Sequence, residues 1–206
     1  MNRRDFLKST AALLTMVAPG VMAAQPATSK ALVQLINFHC GRCFSVNEQH
    51  ARIAQAAVEV GVDYRAAPIA WGEQSMWPSR MYYSLRALYP GSEHAARDVI
   101  FEGIHKEGHR FETLDQIVVY LKRFEVFKRA QALHPRFALD ALRTHVDSDA
   151  PLAAEIRAIR LLEQSAAEEV PVFVWVENGL MTQVISPAQA AEPGALVQRV
   201  MGRLRS

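Results

Sequence analysis

An α/β fold with a block of helices set into its middle is what this sequence predicts, on three observations. A short apolar run, Ala31 to Phe38, leads straight into the only two cysteines of the chain, Cys40 and Cys43. The stretch 73–169 is written in helical periods. Strand-type residues return only in "VPVFVWVENGLMTQVIS", ahead of a last amphipathic segment. With 206 residues, 50% of them hydrophobic, the chain can bury one sizeable core and carry an insertion.

The opening "MNRRDFLKSTAALLTMVAPGVMAA" reads as an export signal over residues 1–23. It has a charged start, an apolar run from Ala11 to Ala18, and small residues at Ala23 and Ala24 where a signal peptidase would cut. That run is too short and too weakly apolar to hold a bilayer stably. "RRDFLK" resembles the twin-arginine export motif; an ordinary secretion signal is the other reading. The mature chain is therefore expected to start near Ala24 and to work in an oxidising compartment. The formal charge of +2 is the signal's own, Arg3, Arg4 and Lys8 against Asp5, so the rest sums to zero. Neither nucleic acid nor an anionic lipid surface is called for.

Residues 24–30 form a short polar lead, and residues 31–72 read as a βαβ half. "ALVQLINF" is short, apolar and unalternating, as in a strand buried on both faces. "FSVNEQHARIAQAAVEVG" reads as one helix ending near Gly61, and "VDYRAAPIAW" as a second strand beside the first. Within 73–169, "SRMYYSLRALYPG" ends on a Pro-Gly stop. "TLDQIVVYLKRF" opens with Thr113 and Gln116 at capping-box spacing, with Leu114, Ile117, Val118 and Leu121 on one face. "DAPLAAEIRAIRLLEQSAAEE" carries Leu152, Ile156 and Ile159 as its stripe, read as core. In 170–206, Asn178-Gly179 supplies a hairpin turn, and "EPGALVQRVMGRLRS" is a helix with Leu196, Val200 and Leu204 on one side. The order βαβ, helical block, ββα is that of a thioredoxin-like fold with a helical domain inserted between its halves.

Cys40 sits where a strand gives way to a helix. A sulfur there faces unpaired backbone N–H groups and the positive end of the helix dipole, which favour thiolate over thiol. Its pKa is expected in the range of roughly 3.5–7.5 found at such sites. Arg42 adds a nearby charge worth on the order of 1 kcal/mol, so it tunes rather than establishes the effect. Cys43, one turn further in, can reach Cys40 to close a disulfide, giving an exposed nucleophile and a resolving partner. As a permanent staple such a bridge would be poor, since the tiny loop it closes removes little unfolded-state entropy. A zinc site would recruit His39 or His50, yet normally needs four ligands, and the chain has no second CxxC. No metal and no cofactor beyond the redox-active Cys40–Cys43 disulfide is expected.

Pro171, at the head of a strand-like run, cannot donate to a central ladder. In thioredoxin-like proteins a cis-proline at this point packs against the active-site thiols, and the residue before it, here Val170, offers backbone hydrogen bonds to an extended substrate.

"NFHCGRC" after a buried strand, "IFEGIHKEGHRFETLDQIVVYL" in the insertion and the run into "EEVPVFVWVENG" together resemble the periplasmic disulfide oxidoreductases of the DsbA type, from about Ala31 to Leu204. The resemblance implies a monomeric periplasmic oxidase that passes its disulfide to exported polypeptides and is recharged by a membrane-embedded, quinone-linked partner. It makes Cys40 the attacking sulfur, Cys43 the resolving one and Val170-Pro171 the substrate loop. Three departures stand out. Gly41-Arg42 replaces the family's frequent Pro-His, which leaves the oxidising strength open. Gln34 stands where a buried acid is common and cannot take up a proton. The family's strand before the active-site strand is missing.

His39 reads either as a thiolate-stabilising or proton-shuttling group or as packing beside the active-site strand. His50 reads as part of a solvated face. Trp71 and Trp77 could line a peptide groove, although core packing is the simpler reading. Two rivals to the oxidase remain: a periplasmic reductase or isomerase running the same chemistry in reverse, and a peptide-binding chaperone whose thiols are incidental.

Overall fold

A computed structural model describes residues 29–206; the export signal expected over 1–23, and all of the lead but its last two residues, lie outside the described residues. The first strand, β1 (Lys30–Ile36), is buried from Ala31 onward, as its nearly continuous apolar run leads one to expect, with Gln34 the one polar residue inside it. It pairs in parallel with β2 (Asp63–Pro68) and antiparallel with β3 (Val172–Glu177). The hairpin partner of β3 is β4 (Leu180–Ile185), which gives a four-stranded sheet in the order β2-β1-β3-β4. Asn178 and Gly179 turn that hairpin with φ of 52° and 80°, the left-handed pair a tight type I′ connection requires.

Side-chain alternation along the strands sorts the core to the two faces of the sheet. Leu32, Phe173 and Trp175 meet Ile53, Leu196, Val200 and Leu204, from helices α2 (His50–Glu59) and α9 (Pro193–Leu204). Val33, Leu35, Val172 and Val174 belong to the other core, with the inserted helices. These are α3 (Trp77–Leu88), α4 (Ser92–His105), α5 (Leu114–Arg123), α6 (Val126–Leu133), α7 (Leu139–Asp147) and α8 (Asp149–Ser165). The mixed α/β chain is thus a thioredoxin-like fold carrying an inserted helical domain.

Several sequence expectations change. The helix expected over 44–61 is two, α1 (Gly41–Asn47) and α2, because the chain turns at Glu48–Gln49, where Gln49 has φ −99° and ψ 2°. The turn carries His50 inward. It is a buried residue on Arg97 and not part of a solvated face. On α8 two of the three stripe residues are misplaced: Leu152 and Ile156 are 37% and 40% exposed, while Ile159 packs against the insert-side core and Pro151, Glu155, Ala158 and Leu162 face inward. Glu155 reaches the core side because its carboxylate accepts the Ala70 N–H at 2.6 Å. Thr113 caps α5 by accepting from Gln116 N, but the Gln116 side chain takes the N–H of Glu112 rather than that of Thr113. Trp71 is 40% exposed instead of core. Trp77 does pack against the insert-side core, its indole N–H donating to Glu112 O at 3.0 Å.

Candidate active site

The end of β1 builds the site. After Ile36 the chain makes one turn, Asn37–His39, in which the Cys40 N–H donates to Asn37 O at 3.1 Å. Cys40 then serves as N-cap of α1, with φ −89° and ψ 115°, and its sulfur accepts the Cys43 N–H at 3.3 Å. A sulfur replaces the usual capping oxygen and satisfies one of the helix's unpaired donors. This local geometry follows from the sequence: a strand ending at Ile36, and Gly41 free to start the helix with open space above its α-carbon.

The two thiols live in different surroundings. Cys40 is half-buried and Cys43 fully buried; both are free thiols. The Cys40 pKa is lowered to about 6, first by the hydrogen bond from the Cys43 thiol, against opposing burial, then by the backbone N–H groups of Cys43 and Arg42 and the Arg42 charge. Cys43 is pushed well above the ordinary thiol range, first by burial and then by the same bond to Cys40. Opposing that rise are first the Asn37 N–H, which donates to Cys43 Sγ at 3.5 Å, and then the Arg42 charge.

From 127 residues further along, Glu169 forms an ion pair with Arg42. Part of the Arg42 charge is thereby offset by a carboxylate, and that charge acts on Cys40 more weakly than the Cys43 thiol and the backbone N–H groups do. The next residues form the opposite wall. The Val170–Pro171 bond is cis, and the Cys40 thiol donates to the Val170 carbonyl at 3.5 Å. Beside this pair opens a cavity of about 350 Å³ lined by Arg42, Ala167, Glu169 and Pro187. A larger cavity, about 640 Å³, lies over Phe111, Tyr120 and Arg123, and none of the predicted site residues lines it.

Cys40, Gly41, Arg42, Cys43, Val170 and Pro171 therefore come together. His39 is placed beside them, but its backbone N–H is turned onto Asn37 Oδ1 at 2.7 Å and its buried Nε2 has no hydrogen-bond partner among the described residues. Burial, then the charge of His105, lowers its pKa from 6.5, which favours a neutral ring. His50 takes no part in the cysteine site. Its Nδ1 accepts from Arg97, and its Nε2 lies 3.2 Å from His94 Nδ1. Gln34 is buried on the α2 side of the sheet, where its Oε1 accepts the Tyr64 hydroxyl. An amide suits that hydroxyl without a buried charge. Sequence reasoning missed Asn37. Its buried side chain donates to Ile69 O at 3.0 Å and to Gln74 Oε1 at 2.6 Å. The available signal was a polar residue ending an apolar strand three positions before the first cysteine.

This arrangement can carry thiol–disulfide exchange: a half-exposed low-pKa sulfur and a buried partner to break its bonds. No family model matches the chain, and no curated protein matches its sequence. Solved structures do match. A variant of Pseudomonas aeruginosa DsbA superposes with a TM-score of 0.65 at 18% identity over 88% of either chain. A putative protein disulfide isomerase from Nitrosomonas europaea gives 0.67 at 10% identity, covering 86% of this chain and 98% of that one. The cytosolic disulfide reductase DsbM from Pseudomonas aeruginosa gives 0.62 at 16%, covering 85% and 98%. The chain accordingly has the thioredoxin-like fold with a helical insertion that is shared by DsbA-type thiol:disulfide oxidoreductases.

Proposed function

We propose that this chain is a periplasmic thiol:disulfide oxidoreductase that donates its Cys40–Cys43 disulfide to exported polypeptides. One observation carries the reading. Cys40 is a half-exposed helix-capping sulfur with its pKa drawn down to about 6, and its partner Cys43 is buried and held as a thiol. A stabilised thiolate lowers the free energy of the dithiol form alone, since a disulfide has no ionisable sulfur. Its oxidised form is therefore the stronger oxidant.

In the forward direction a client thiolate attacks the Cys40 sulfur. The Cys40–Cys43 bond breaks, its electron pair leaves with Cys43, and Cys40 is joined to the client. A second client thiolate attacks the client sulfur of this mixed disulfide and expels Cys40 as its stable thiolate. The client is oxidised by two electrons and the chain reduced by two. Val170 and Pro171 border Cys40, so an extended client segment would lie along Val170. Export rests on "RRDFLK" and the apolar run behind it. Recharging of the dithiol is assigned to a membrane-embedded, quinone-linked protein, with the chain acting as a monomer.

The match to DsbM, together with Gly41-Arg42 between the cysteines, favours a second reading as a disulfide reductase. Equilibrium titration against glutathione separates the two. An oxidant should sit near the potential of about −120 mV typical of strong oxidases, whereas a value near about −270 mV makes the chain a reductase. Cys40→Ser should abolish oxidation of a reduced client. Undiminished turnover in that variant would leave a peptide-binding chaperone.

A further inference from the structure

Cys43 is the difficult sulfur of the pair. In the forward step it must depart as a thiolate from a fully buried position, and in the reverse step it must attack as one. A buried anion without compensating donors is costly. Gln34 has no proton to exchange, and its carbonyl oxygen is occupied by the Tyr64 hydroxyl. One backbone donor does reach the sulfur: the Asn37 N–H, at 3.5 Å.

That donor is held in place by its own side chain. The Asn37 amide sends its two N–H bonds to Ile69 O, just past β2, and to Gln74 Oε1, while its Oδ1 receives the His39 N–H. Gln74 Oε1 in turn accepts the Trp71 N–H at 3.1 Å. The Asn37 carbonyl takes the Cys40 N–H at 3.1 Å. Every hydrogen-bonding group of this 1%-exposed residue is therefore engaged, and each bond fixes the turn between β1 and the cysteines.

We propose that Asn37 is a positioning residue for the resolving thiol: its side-chain amide, anchored on Ile69, Gln74 and His39, aims its backbone N–H at Cys43 Sγ, so that Cys43 departs and attacks as a hydrogen-bonded thiolate. The inference rests on the exchange chemistry proposed above but not on its direction. The same N–H serves when Cys43 is expelled from the Cys40–Cys43 bond and when it attacks a Cys40 mixed disulfide and expels the other thiolate. Electrons and bonds balance in both cases, and the proton released or taken up passes to solvent.

The test splits the two half-reactions. Cys40 is joined to glutathione in the full chain, and glutathione release by Cys43 is followed in wild type, Asn37→Ala and Asn37→Asp. Reaction of the Cys40 thiolate with iodoacetamide is measured on a Cys43→Ser background, with and without the Asn37 change. The expected result is glutathione release slowed at least tenfold in both Asn37 variants, with Cys40 alkylation and its apparent pKa moved less than twofold and less than half a unit. Asn37→Asp keeps the acceptor for His39 and the shape of the side chain, so it supplies the reading if Asn37→Ala does not fold. Equal release rates in a folded variant, or a matching loss in Cys40 alkylation, would overturn the assignment. A wild-type protein that never releases glutathione would instead defeat the oxidoreductase reading itself.

Discussion

Raising the pH from 5 to 8 should change the reduction potential of the Cys40–Cys43 pair in a way set by one ionisation. With a Cys40 pKa of about 6, the sulfur is about 90% thiolate at pH 7, against about 1% for a thiol of pKa 9. The ratio of the two binding polynomials is about 11, or ~1.4 kcal/mol in favour of the dithiol form, and ~30 mV on the potential. Water at the half-exposed sulfur screens part of this, leaving roughly 1 kcal/mol and ~20 mV. The slope is sharper evidence than the offset. Below the Cys40 pKa two protons accompany the two electrons, and the potential falls by ~59 mV per pH unit. Above it only Cys43 takes a proton, because Cys43 stays a thiol far beyond neutrality, and the slope halves to ~30 mV. Glutathione equilibration at half-unit steps of pH should therefore show a break near pH 6, and thiolate ultraviolet absorbance should rise through the same midpoint. A single slope of ~59 mV up to pH 8 would refute the reasoning, because it would mean that the helix terminus and the Cys43 hydrogen bond do not ionise Cys40.

Three further outcomes follow from the same geometry. Arg42→Gln removes the ion pair with Glu169 and a charge that acts on Cys40 more weakly than the backbone N–H groups do, so the midpoint of the alkylation profile should rise by less than about one unit; a larger rise would make Arg42 the main source of the thiolate. Burial, then Arg97 and His94, hold the His50 pKa down to about 2, below its unfolded value. The unfolded chain therefore binds the extra proton between pH 6.5 and 2, and stability present above that window is lost as pH falls, by up to about 1.4 kcal/mol per unit. Urea unfolding at pH 7 and pH 5 should show a smaller loss for His50→Gln than for wild type, and equal losses would reject the assignment. Gly103→Ala would set a methyl group 2.8 Å from Tyr120 and 2.9 Å from Phe111. Overpacking of this kind costs about 1–3 kcal/mol, so the thermal midpoint should drop with the Cys40 pKa unchanged.

Much of the site was legible because its chemistry is local. Cys40 caps α1 through the N–H of a residue three positions away, which spacing alone requires once a strand is followed by a helix. Leu196, Val200 and Leu204 face the core as their period demands. The misreadings share a different cause. On α8, Leu152 and Ile156 outrank Glu155 in hydrophobicity, yet Glu155 is inside because Ala70, 85 residues away, offers it an N–H. His50 looked like a surface residue until the break after Asn47 brought it to Arg97, and Asn47 itself donates to Asp98 on α4 at 2.9 Å.

By itself, then, the sequence determined a βαβ half and a ββα half around a helical block, the reach of Cys43 to Cys40, and the helix terminus that helps to ionise Cys40. Tertiary structure alone decided which polar groups lie inside: Glu155 under Ala70, His50 against Arg97, and Asn37 behind Cys43. The physical reason is that periodicity encodes which face of an element turns away from water, whereas a buried polar group is tolerated only where a distant part of the chain supplies its hydrogen-bond partner.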